Sequence, residues 1–367
     1  MSVNYKKLGE IVKLVDERNK SLESSDVLGI SIDKEFMPSV ANTIGTDLSN
    51  YKVLRMNTFA CNPMHVGRDE RLPVSLYKKD IPAIVSPAYF MFRINNENEV
   101  LSDFLMLLFR RDDFDRNCWF RTDGSVRGGI TWNDICEIKI PIPDIKEQQK
   151  IVDAYNSITK RIQIKQKINE NLEKTAQAIY NKTIELTNEN ESMYITTIIK
   201  NGFPFDSDFF NENKNGLPLI RIRDIKNCTP IVYTTEDFSR AEIITSGDLL
   251  VGMDGEFSPN FWFGKDSLLN QRVCKLSPSN DNVHIFFIYF SIKPLLENLE
   301  KTQGGTTVIH VGKKDFDKIN FPRLSIKEHK CFYNNVNSSF RLLIKNKNEI
   351  LKLQELKQLV ISRISKK

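Results

Sequence analysis

A chain of 367 residues, 40% hydrophobic and 27% charged, is long enough for two domains and contains no apolar run of the ~18–20 residues that a membrane span needs. The formal net charge of +5 is unevenly spread: residues 146–186 carry +3, residues 327–367 carry +7, and the remainder carries −5. Because no apolar secretory segment follows the N-terminus, we expect a cytoplasmic protein. The scattered cysteines and histidines have no metal-ligand or redox spacing, so no metal site is expected.

The first third of the chain is predicted to be a mixed α/β domain. Residues 85–94 alternate or run apolar as in a strand, and residues 101–111 form a predicted helix rich in large apolar side chains. Residues 144–201 then contain no glycine or proline, and apolar residues recur there at helical spacing. Such spacing places an apolar stripe along one face of an α-helix, so we predict a long helix here.

The second half of the chain follows a similar order. Residues 217–225 form a predicted strand in which Arg221 and Arg223 share one face, and residues 247–253 form a predicted turn and short buried strand. Residues 284–291 form a predicted helix, and residues 324–367 form a second window without glycine or proline. A helix of ~40 residues is about 60 Å long and is rarely found alone in a compact domain.

Two long helices with matching apolar stripes are expected to pack on each other as an antiparallel, coiled-coil-like spacer. Lys165 and Lys347 interrupt the seam, so a regular heptad repeat is not expected throughout. The residues predicted to form the helix–helix or partner interface are Ile151, Ile158, Ile162, Leu172, Ile179, Phe340, Leu343, Ile350, Leu353 and Val360.

An internal repeat with an offset of 181 residues connects the two halves. The segment Ile138-Lys139-Ile140-Pro141 recurs as Ile319-Asn320-Phe321-Pro322, and the pairs Gly124–Gly305, Ser125–Thr306 and Asp134–Asp315 keep the same offset. One unit, a mixed domain followed by a long helix, is therefore predicted to be present twice. The predicted fold class is α/β (α+β) with a pseudo-twofold internal repeat: domains at residues 1–144 and 189–325, and long helices at residues 145–188 and 326–367.

The sequence contains no complete catalytic motif. A Gly-x-x-x-x-Gly-Lys-Ser/Thr phosphate loop is absent. Asn62-Pro63-Met64-His65 lacks the second proline and the aromatic residue of adenine methyltransferase motifs, and Asp254-Gly255-Glu256 reads as a turn rather than a nuclease site. The glycine-containing loops at residues 124–129 and 304–307 could either bind phosphate through backbone amides or serve as flexible connections.

Local patterns in this sequence resemble the specificity (S) subunit of type I restriction-modification enzymes. Ile140-Pro141-Ile142-Pro143, followed by Glu147-Gln148-Gln149-Lys150-Ile151-Val152, resembles that family's junction between a target-recognition domain and a long helix. Residues 246–251, followed by Asn270-Gln271-Arg272-Val273, resemble its recognition-domain pattern. In the first domain, Asn57-Thr58-Phe59-Ala60 lies near the corresponding place. The resemblance spans nearly the whole chain.

The resemblance implies a non-catalytic DNA-recognition subunit with a role in phage defence. Each target-recognition domain would read one half of an interrupted DNA sequence, and the paired helices would set the gap. Two modification subunits, which methylate adenine at N6, would dock on the chain, and restriction subunits would join them. No cofactor is expected on this chain, whereas S-adenosylmethionine, ATP and Mg²⁺ are expected on the partner subunits.

DNA reading requires side chains that donate to base edges or to phosphates. The candidates are basic or amide residues on predicted loops and on the predicted 217–225 strand: Arg68, Arg71, Arg121, Arg127, Arg221, Arg223, Gln271, Arg272, Lys313 and Lys314. Trp132 and Trp262 are expected to pack in the cores rather than stack on bases.

Three other interpretations remain open at this stage. The chain could be a stand-alone, non-enzymatic DNA-binding protein such as a dimeric repressor, which would co-purify with no methyltransferase. It could be a nuclease or methyltransferase of an unrecognised fold, which would be active alone. It could also be a helical scaffold with two protein-binding domains, which would not bind DNA.

Overall fold

The computed structural model describes residues 4–41, 45–64, 66–122, 128–185, 187–236, 241–302 and 310–364. The chain forms two compact units: the first comprises Met1–Lys160 and Gln354–Lys367, and the second comprises Arg161–Leu353. Within the described residues, no helix is both long and apolar enough to cross a membrane.

In the first unit, short strands and helices precede a long helix. The strands are β1 (Asn4–Lys7), β2 (Val12–Leu14), β3 (Val27–Ile30), β4 (Phe36–Pro38), β5 (Lys52–Leu54), β6 (Thr58–Cys61), β7 (Val74–Tyr77), β8 (Ala83–Val85), β9 (Phe90–Ile94) and β10 (Lys139–Ile142). The helices are α1 (Leu8–Ile11), α2 (Val66–Asp69), α3 (Ser102–Phe109), α4 (Asp112–Phe120), α5 (Trp132–Cys136) and the start of α6 (Ile145–Ile184).

Two sheets support the core of the first unit. Strands β2, β9, β6 and β7 form an antiparallel sheet in that order, and β4, β3, β8 and β5 form a second sheet in which β3 and β8 run parallel. Strand β1 pairs with β10, which leads into α6. The rings of Phe59 and Phe92 stack at 5.1 Å, and Phe109 of α3 packs edge-on against both. This aromatic contact joins the first sheet to the helices.

In the second unit, after the first part of α6, short strands and helices again precede a long helix. Its strands are β11 (Asn190–Ser192), β12 (Thr197–Asn201), β13 (Phe210–Asn211), β14 (Leu217–Ile220), β15 (Tyr233–Thr234), β16 (Ile243–Ile244), β17 (Leu249–Gly252), β18 (Asn260–Phe261), β19 (Ser267–Leu269), β20 (Val273–Pro278) and β21 (Asn320–Pro322). Its helices are α7 (Ile222–Ile225), α8 (Ile285–Thr302), α9 (Lys313–Phe316) and most of α10 (Ile326–Ser362).

One sheet of the second unit repeats a sheet of the first strand for strand, and the other shares a parallel strand pair but has five strands instead of four. The order β12-β20-β17-β18 corresponds to β2-β9-β6-β7, and the parallel pair β14–β19 corresponds to β3–β8. Strand β21 pairs with β11, as β10 pairs with β1, and each of these pairs directly precedes a long helix. The predicted α/β class, with an internal repeat of a mixed domain and a long helix, is therefore confirmed.

The strand register and one left-handed backbone position in each unit support the alignment of the repeats. Phe59 pairs with Phe92 in the first unit, and Leu249 pairs with Leu276 in the second, so Asn57 occupies the place of Gly247. Both residues have a left-handed backbone, with φ of 60° at Asn57 and 102° at Gly247. The segment starting at Asn57 thus stands where the sequence analysis placed it.

Two predicted strands are wrong in part. Residues 85–94 are two strands, because a turn closed by the Tyr89 N–H donating to the Ser86 carbonyl separates β8 from β9. Residues 217–225 form a strand only as far as Ile220. The Asp224 carboxylate then accepts the backbone N–H of Arg221 at 3.0 Å, and this local cap starts α7. The turn and buried strand at 247–253 and the helices at 101–111 and 284–291 are confirmed as β17, α3 and α8.

Local hydrogen bonds start both long helices. Asp144 accepts the N–H of Glu147 at 3.0 Å before α6. Before α10, Ser325 accepts the N–H of Glu328 at 3.3 Å, while the Glu328 carboxylate accepts the N–H of Ser325 at 2.7 Å. This reciprocal capping also lowers the pKa of Glu328. Each helix then runs without a helix breaker, as predicted.

Inside the second unit, α6 and α10 contact each other through polar side chains. Lys165 Nζ donates to Asn346 Oδ1 at 2.9 Å, and Asn346 Nδ2 donates to Asn169 Oδ1 at 3.0 Å. Glu349 pairs with Lys165 at 2.8 Å and also with Arg161. Lys165 and Asn346 are separated by the repeat offset of 181 residues, so corresponding positions of the repeat meet here. Asn346 and Asn169 are both buried, with exposed fractions of 3% and 4%.

A buried histidine makes the second unit sensitive to acid. His284 is 3% exposed and its ring packs against Phe286, Tyr333 and Phe340 at 5.0–5.6 Å. Its Nδ1 accepts the N–H of Phe286 at 3.1 Å. Burial lowers the pKa of His284 from 6.5 to about 4, because the charged ring would lose its hydration.

We expect the unfolding free energy of the second unit to fall as the pH drops from 6.5 to 4. In that range the unfolded chain binds a proton at this residue and the folded chain does not, so His284 alone removes about 3 kcal/mol. Urea unfolding followed at several pH values measures this loss. His284→Gln, whose amide oxygen can accept from Phe286, should show a shallower pH dependence; an unchanged slope would contradict the prediction.

Candidate nucleic-acid interface

In the second unit, three loops meet at the C-terminal end of β17. The N–H of Met253 donates to the Arg272 carbonyl at 2.9 Å, and the N–H of Val311 donates to the Met253 carbonyl at 2.8 Å. A Cβ at Gly252 would lie 2.3 Å from the Glu256 carbonyl oxygen and 3.0 Å from Ile222 of α7. Glycine is therefore required for this close approach.

Four of the six residues predicted to bind DNA in this unit lie at these loops, and the other two lie at α7, whose Ile222 is beside Gly252. Arg221 and Arg223 belong to the start of α7, Gln271 and Arg272 precede β20, and Lys313 and Lys314 begin α9. All except Arg221 are exposed. Arg221 is held by its own helix, because its Nε lies 3.2 Å from Asp224 Oδ2. The structure thus brings these residues to one end of the sheet, although the strand predicted to carry Arg221 and Arg223 ends before them.

An ion-pair cluster lies in the middle of this group. His310 Nδ1 donates to Asp254 Oδ1 at 2.6 Å, and Arg272 Nε lies 3.3 Å from Asp254 Oδ2. The backbones of Asp254 and His310 form an isolated antiparallel bridge. Gly255, with φ of 72°, and the Glu256 N–H to Asp254 carbonyl bond form the turn that the sequence predicts here. We call Asp254, Arg272 and His310 the Asp254 cluster.

In the first unit, Arg68 and Arg71 lie near the equivalent end of β6, on α2 and directly after it. The N–H of Ile130 donates to the Pro63 carbonyl, as Val311 does to Met253, and the N–H of Gly67 in α2 donates to the Gly128 carbonyl at 2.9 Å. Arg68 of α2 is paired with Asp69 at 2.7 Å, which raises the pKa of Arg68.

The other arginines of the first unit differ in their surroundings. Arg71 is exposed just after α2. Arg121 ends α4, where its guanidinium donates to the carbonyl and side-chain oxygens of Asn117 at 3.0 and 3.2 Å. Arg127, together with Gly124 and Ser125 of the repeat, lies outside the described residues, as do Gly305 and Thr306.

Aligned turns show that the two units differ chemically at this end. The turn closed by Val273 and Asn270 in the second unit corresponds to the turn closed by Tyr89 and Ser86 in the first. Gln271-Arg272 therefore stands where the first unit has Pro87-Ala88. By the same alignment, Asp254 corresponds to Met64 and His310 to Gly129. The Asp254 cluster has no counterpart among these residues of the first unit.

Sequence reasoning missed two exposed aromatic residues. Trp119 and Phe120, at the end of α4 beside Arg121, are 44% and 86% exposed. Trp262 is only 1% exposed, and Trp132 packs against Phe92 at 5.3 Å, so both belong to the cores as predicted. The sequence shows only that Trp119 and Phe120 precede the glycine-containing loop, and this position does not indicate that their side chains are exposed.

Each residue predicted for the helix interface lies on α6 or α10 and is buried or half-buried. Ile151 and Val360 pack against the core of the first unit. In the second unit, Leu172, Ile179, Phe340 and Leu343 pack with its core. The remaining residues of this set are Ile158 (half-buried), Ile162 (buried), Ile350 (buried) and Leu353 (half-buried).

Comparisons with known proteins agree with one family. A family model described as "Type I restriction modification DNA specificity domain" matches residues 73–174 and 195–331. A segment of 139 residues is 34% identical to the type I restriction enzyme EcoBI specificity subunit of Escherichia coli, covering 38% of this chain and 29% of that relative. The HindI specificity subunit of Haemophilus influenzae is 31% identical over 105 residues, covering 28% of this chain and 22% of that relative.

These matches span less than a third of the length of the curated relatives. The fold is similar to that of the S subunit of a type I restriction-modification system from M. genitalium, with a TM-score of 0.61 and 13% identity. That similarity covers 99% of this chain and 96% of the other. Because the family model matches more than half of the chain, the protein belongs to the family of type I restriction-modification DNA specificity domains.

Proposed function

We propose that this chain is the DNA sequence-recognition subunit of a type I restriction-modification complex and that it reads a bipartite, interrupted DNA target. The observation that carries the proposal is the duplicated topology, in which the two units share the strand order of one four-stranded sheet and each unit leads into a long helix. Two copies of one unit with different loop chemistry suit two different half-sites. The paired helices would set the gap between them.

Base reading would take place at the loop ends that follow β6 and β17. Arginine can donate two hydrogen bonds to guanine, and glutamine can pair with adenine, in the major groove. Lysine and arginine contacts to phosphates would fix the register of each unit on the duplex. The residues predicted for these roles are Arg68, Arg71, Arg121 and Arg127 in the first unit, and Arg221, Arg223, Gln271, Arg272, Lys313 and Lys314 in the second.

The helices would also dock the modification and restriction subunits. Large apolar side chains are 40–66% exposed on α6 and α10, and such side chains favour protein contacts when they form a patch. Ile164 and Ile168 are one helical turn apart and share a face. The exposed set is Ile164, Ile168, Ile326, Leu342, Leu356 and Leu359.

Under this proposal the chain itself carries no catalytic centre and binds no cofactor. S-adenosylmethionine would be bound by the modification subunits, and ATP and Mg²⁺ by the restriction subunits. The chain would contribute specificity, because it decides which adenine the modification subunits reach.

Mapping N6-methyladenine in a genome tests the proposal. The chain is expressed with its modification subunits in a host that lacks other adenine methylation, and we expect one motif of two defined half-sites separated by a gap of constant length. The double substitution Arg221→Gln and Arg223→Gln should alter or abolish recognition of one half-site only. The matched control, Lys200→Gln, changes an exposed lysine of β12 whose Nζ already pairs with Glu242 at 3.0 Å, and it should leave the motif unchanged.

Three results would contradict the proposal. These are methylation that does not depend on this chain, a contiguous motif without a gap, and methyl transfer by the isolated chain. If the chain instead binds DNA but does not co-purify with the modification subunits, the stand-alone DNA-binding protein becomes the better description.

A further inference from the structure

The Asp254 cluster combines a carboxylate with two cationic or hydrogen-bonding side chains on an exposed surface. The side chain of Asp254 is 24% exposed, whereas those of His310 and Arg272 are 49% and 56% exposed. An unpaired carboxylate at a DNA-binding surface would repel phosphates. Here both carboxylate oxygens are engaged, one by each partner, so the carboxylate holds two side chains whose other nitrogens face away from it.

Backbone contacts make this arrangement rigid. Asp254 lies in a tight turn, His310 is bridged to it through the main chain, and Arg272 precedes β20, whose first residues pair with β17. The Met253 N–H donates to the Arg272 carbonyl, so main-chain hydrogen bonds connect the segments that carry all three residues. A guanidinium that is already oriented loses less side-chain entropy when it binds an anion than one that is free.

The charges around the cluster favour an anionic ligand. Lys313 and Lys314 are exposed on α9, which begins three residues after His310, and Gln271 adjoins Arg272. The Gly312 N-cap of α9 has no side chain to cover the ring: a Cβ there would lie 3.4 Å from His310 Nε2. The Nε2 edge of the imidazole and the terminal nitrogens of Arg272 therefore remain available on one surface.

We propose that the Asp254 cluster is a DNA phosphate clamp of the second unit, in which Asp254 positions His310 and Arg272 against one backbone phosphate. This inference rests on the proposed function. The ligand is a phosphodiester of duplex DNA, held by Arg272 through charge-assisted hydrogen bonds and by Nε2–H of His310 in its imidazolium form, in which Nδ1–H donates to Asp254 at the same time. Asp254 is a positioning residue, since its oxygens contact the two donors and not the phosphate.

The sign of the Asp254→Asn effect tests the clamp. Removing a negative charge from a DNA-binding surface should by itself tighten binding, whereas loss of positioning should weaken it. We expect Asp254→Asn in the full chain to weaken binding to a mixed-sequence 40-base-pair duplex by roughly fivefold to tenfold, with a salt slope smaller by about one. Fluorescence anisotropy over a range of salt concentrations measures both quantities.

A matched control removes an equivalent charge elsewhere. Asp281 is exposed beyond the other end of β20, about 20 Å along the strand direction from Arg272. Asp281→Asn should leave binding unchanged or make it slightly tighter. The double substitution Arg272→Gln and His310→Gln, at exposed positions that tolerate change, should weaken binding at least as much as Asp254→Asn.

The background dependence of Asp254→Asn separates positioning from a structural role. In the Arg272→Gln/His310→Gln background, Asp254→Asn has nothing to position and should tighten binding slightly. Equal or tighter binding by Asp254→Asn alone, or further weakening in the double background, would overturn the clamp. A wild-type chain that binds no duplex DNA would overturn both the clamp and the proposed function, whereas normal wild-type binding with an unaffected variant would overturn the clamp alone.

Discussion

Replacing Asp115 by alanine is expected to lower the unfolding free energy of the first unit by about 3–5 kcal/mol. Lys34 and Asp115 are 4% and 7% exposed, and Lys34 Nζ donates to both carboxylate oxygens at 2.8 and 2.9 Å. Lys34 also donates to the Phe109 carbonyl, and Asp115 accepts the N–H of Leu72 at 3.1 Å. The pair thus joins the β3–β4 turn to α3, α4 and the segment after α2.

The expected loss arises from what the substitution leaves behind. Without Asp115, the Lys34 ammonium and the Leu72 N–H remain buried without the acceptor that each now uses. Burial already lowers the pKa of Lys34, and Asp115 is the group that opposes this shift. A buried charge that loses its partner costs far more than an exposed ion pair contributes.

Hydrogen exchange by mass spectrometry measures this loss unit by unit. Peptides covering residues 27–38 and 102–120 should exchange faster in Asp115→Ala, while peptides covering residues 249–276 of the second unit should not change. The double variant Lys34→Met/Asp115→Leu removes both charges and should be less destabilised than Asp115→Ala, because no buried charge is orphaned. A loss of unfolding free energy below about 1 kcal/mol in Asp115→Ala would contradict the stabilising role of the Lys34–Asp115 pair.

Inserting one helical turn into both long helices is expected to lengthen the gap of the DNA target and to leave both half-sites unchanged. This expectation depends on the proposed function. Four residues added after Gln166 in α6 and four after Lys347 in α10 extend each helix by about 6 Å. That rise corresponds to one or two base-pair steps of about 3.4 Å. Four residues are close to one helical turn of 3.6 residues, so the apolar stripes stay nearly aligned.

Lys165 and Asn346 identify where to insert, because these side chains are bonded to each other at corresponding places in the repeat. Insertion into α6 alone should abolish methylation, since Arg161 and Lys165 would then lose their register with Glu349. Four residues inserted at the exposed positions 212–215 serve as the control and should keep the gap. Methylation mapping decides the outcome: a change in the bases of either half-site would contradict the spacer role.

The duplicated architecture is predictable from the sequence because its markers are local. Asp134 and Asp315 keep the repeat offset, and each lies at the third position of a short helix. The Asp134 N–H donates to the Thr131 hydroxyl, and the Asp315 carboxylate accepts the Gly312 N–H. The long helices are equally predictable, because their signals, a periodic apolar stripe without glycine or proline, lie within one continuous segment. The hydrogen bond between Asn169 and Asn346 is not predictable, because in the sequence each is only a polar residue within a helical segment.

The site is less predictable because its geometry comes from pairing between distant segments. Asp254 and His310 are 56 residues apart, and only the strand pairing of the second unit brings them together. Lys34 and Asp115 are 81 residues apart and look like ordinary surface charges in the sequence. Arg221 and Arg223 show the reverse problem. Their alternating pattern predicts a strand, but the carboxylate of Asp224 three residues after Arg221 caps a helix instead.

Gln271-Arg272 of the second unit stands where the first unit has Pro87-Ala88, so the two units differ at their matching turns. A reader with identical ends would bind a palindrome and could sit on it in either of two equivalent orientations. Under the proposed function, two unlike units would fit an asymmetric sequence in a single orientation only. Each bound complex would then point along the chromosome in a defined direction, and the two DNA strands would present their adenines to chemically different neighbours.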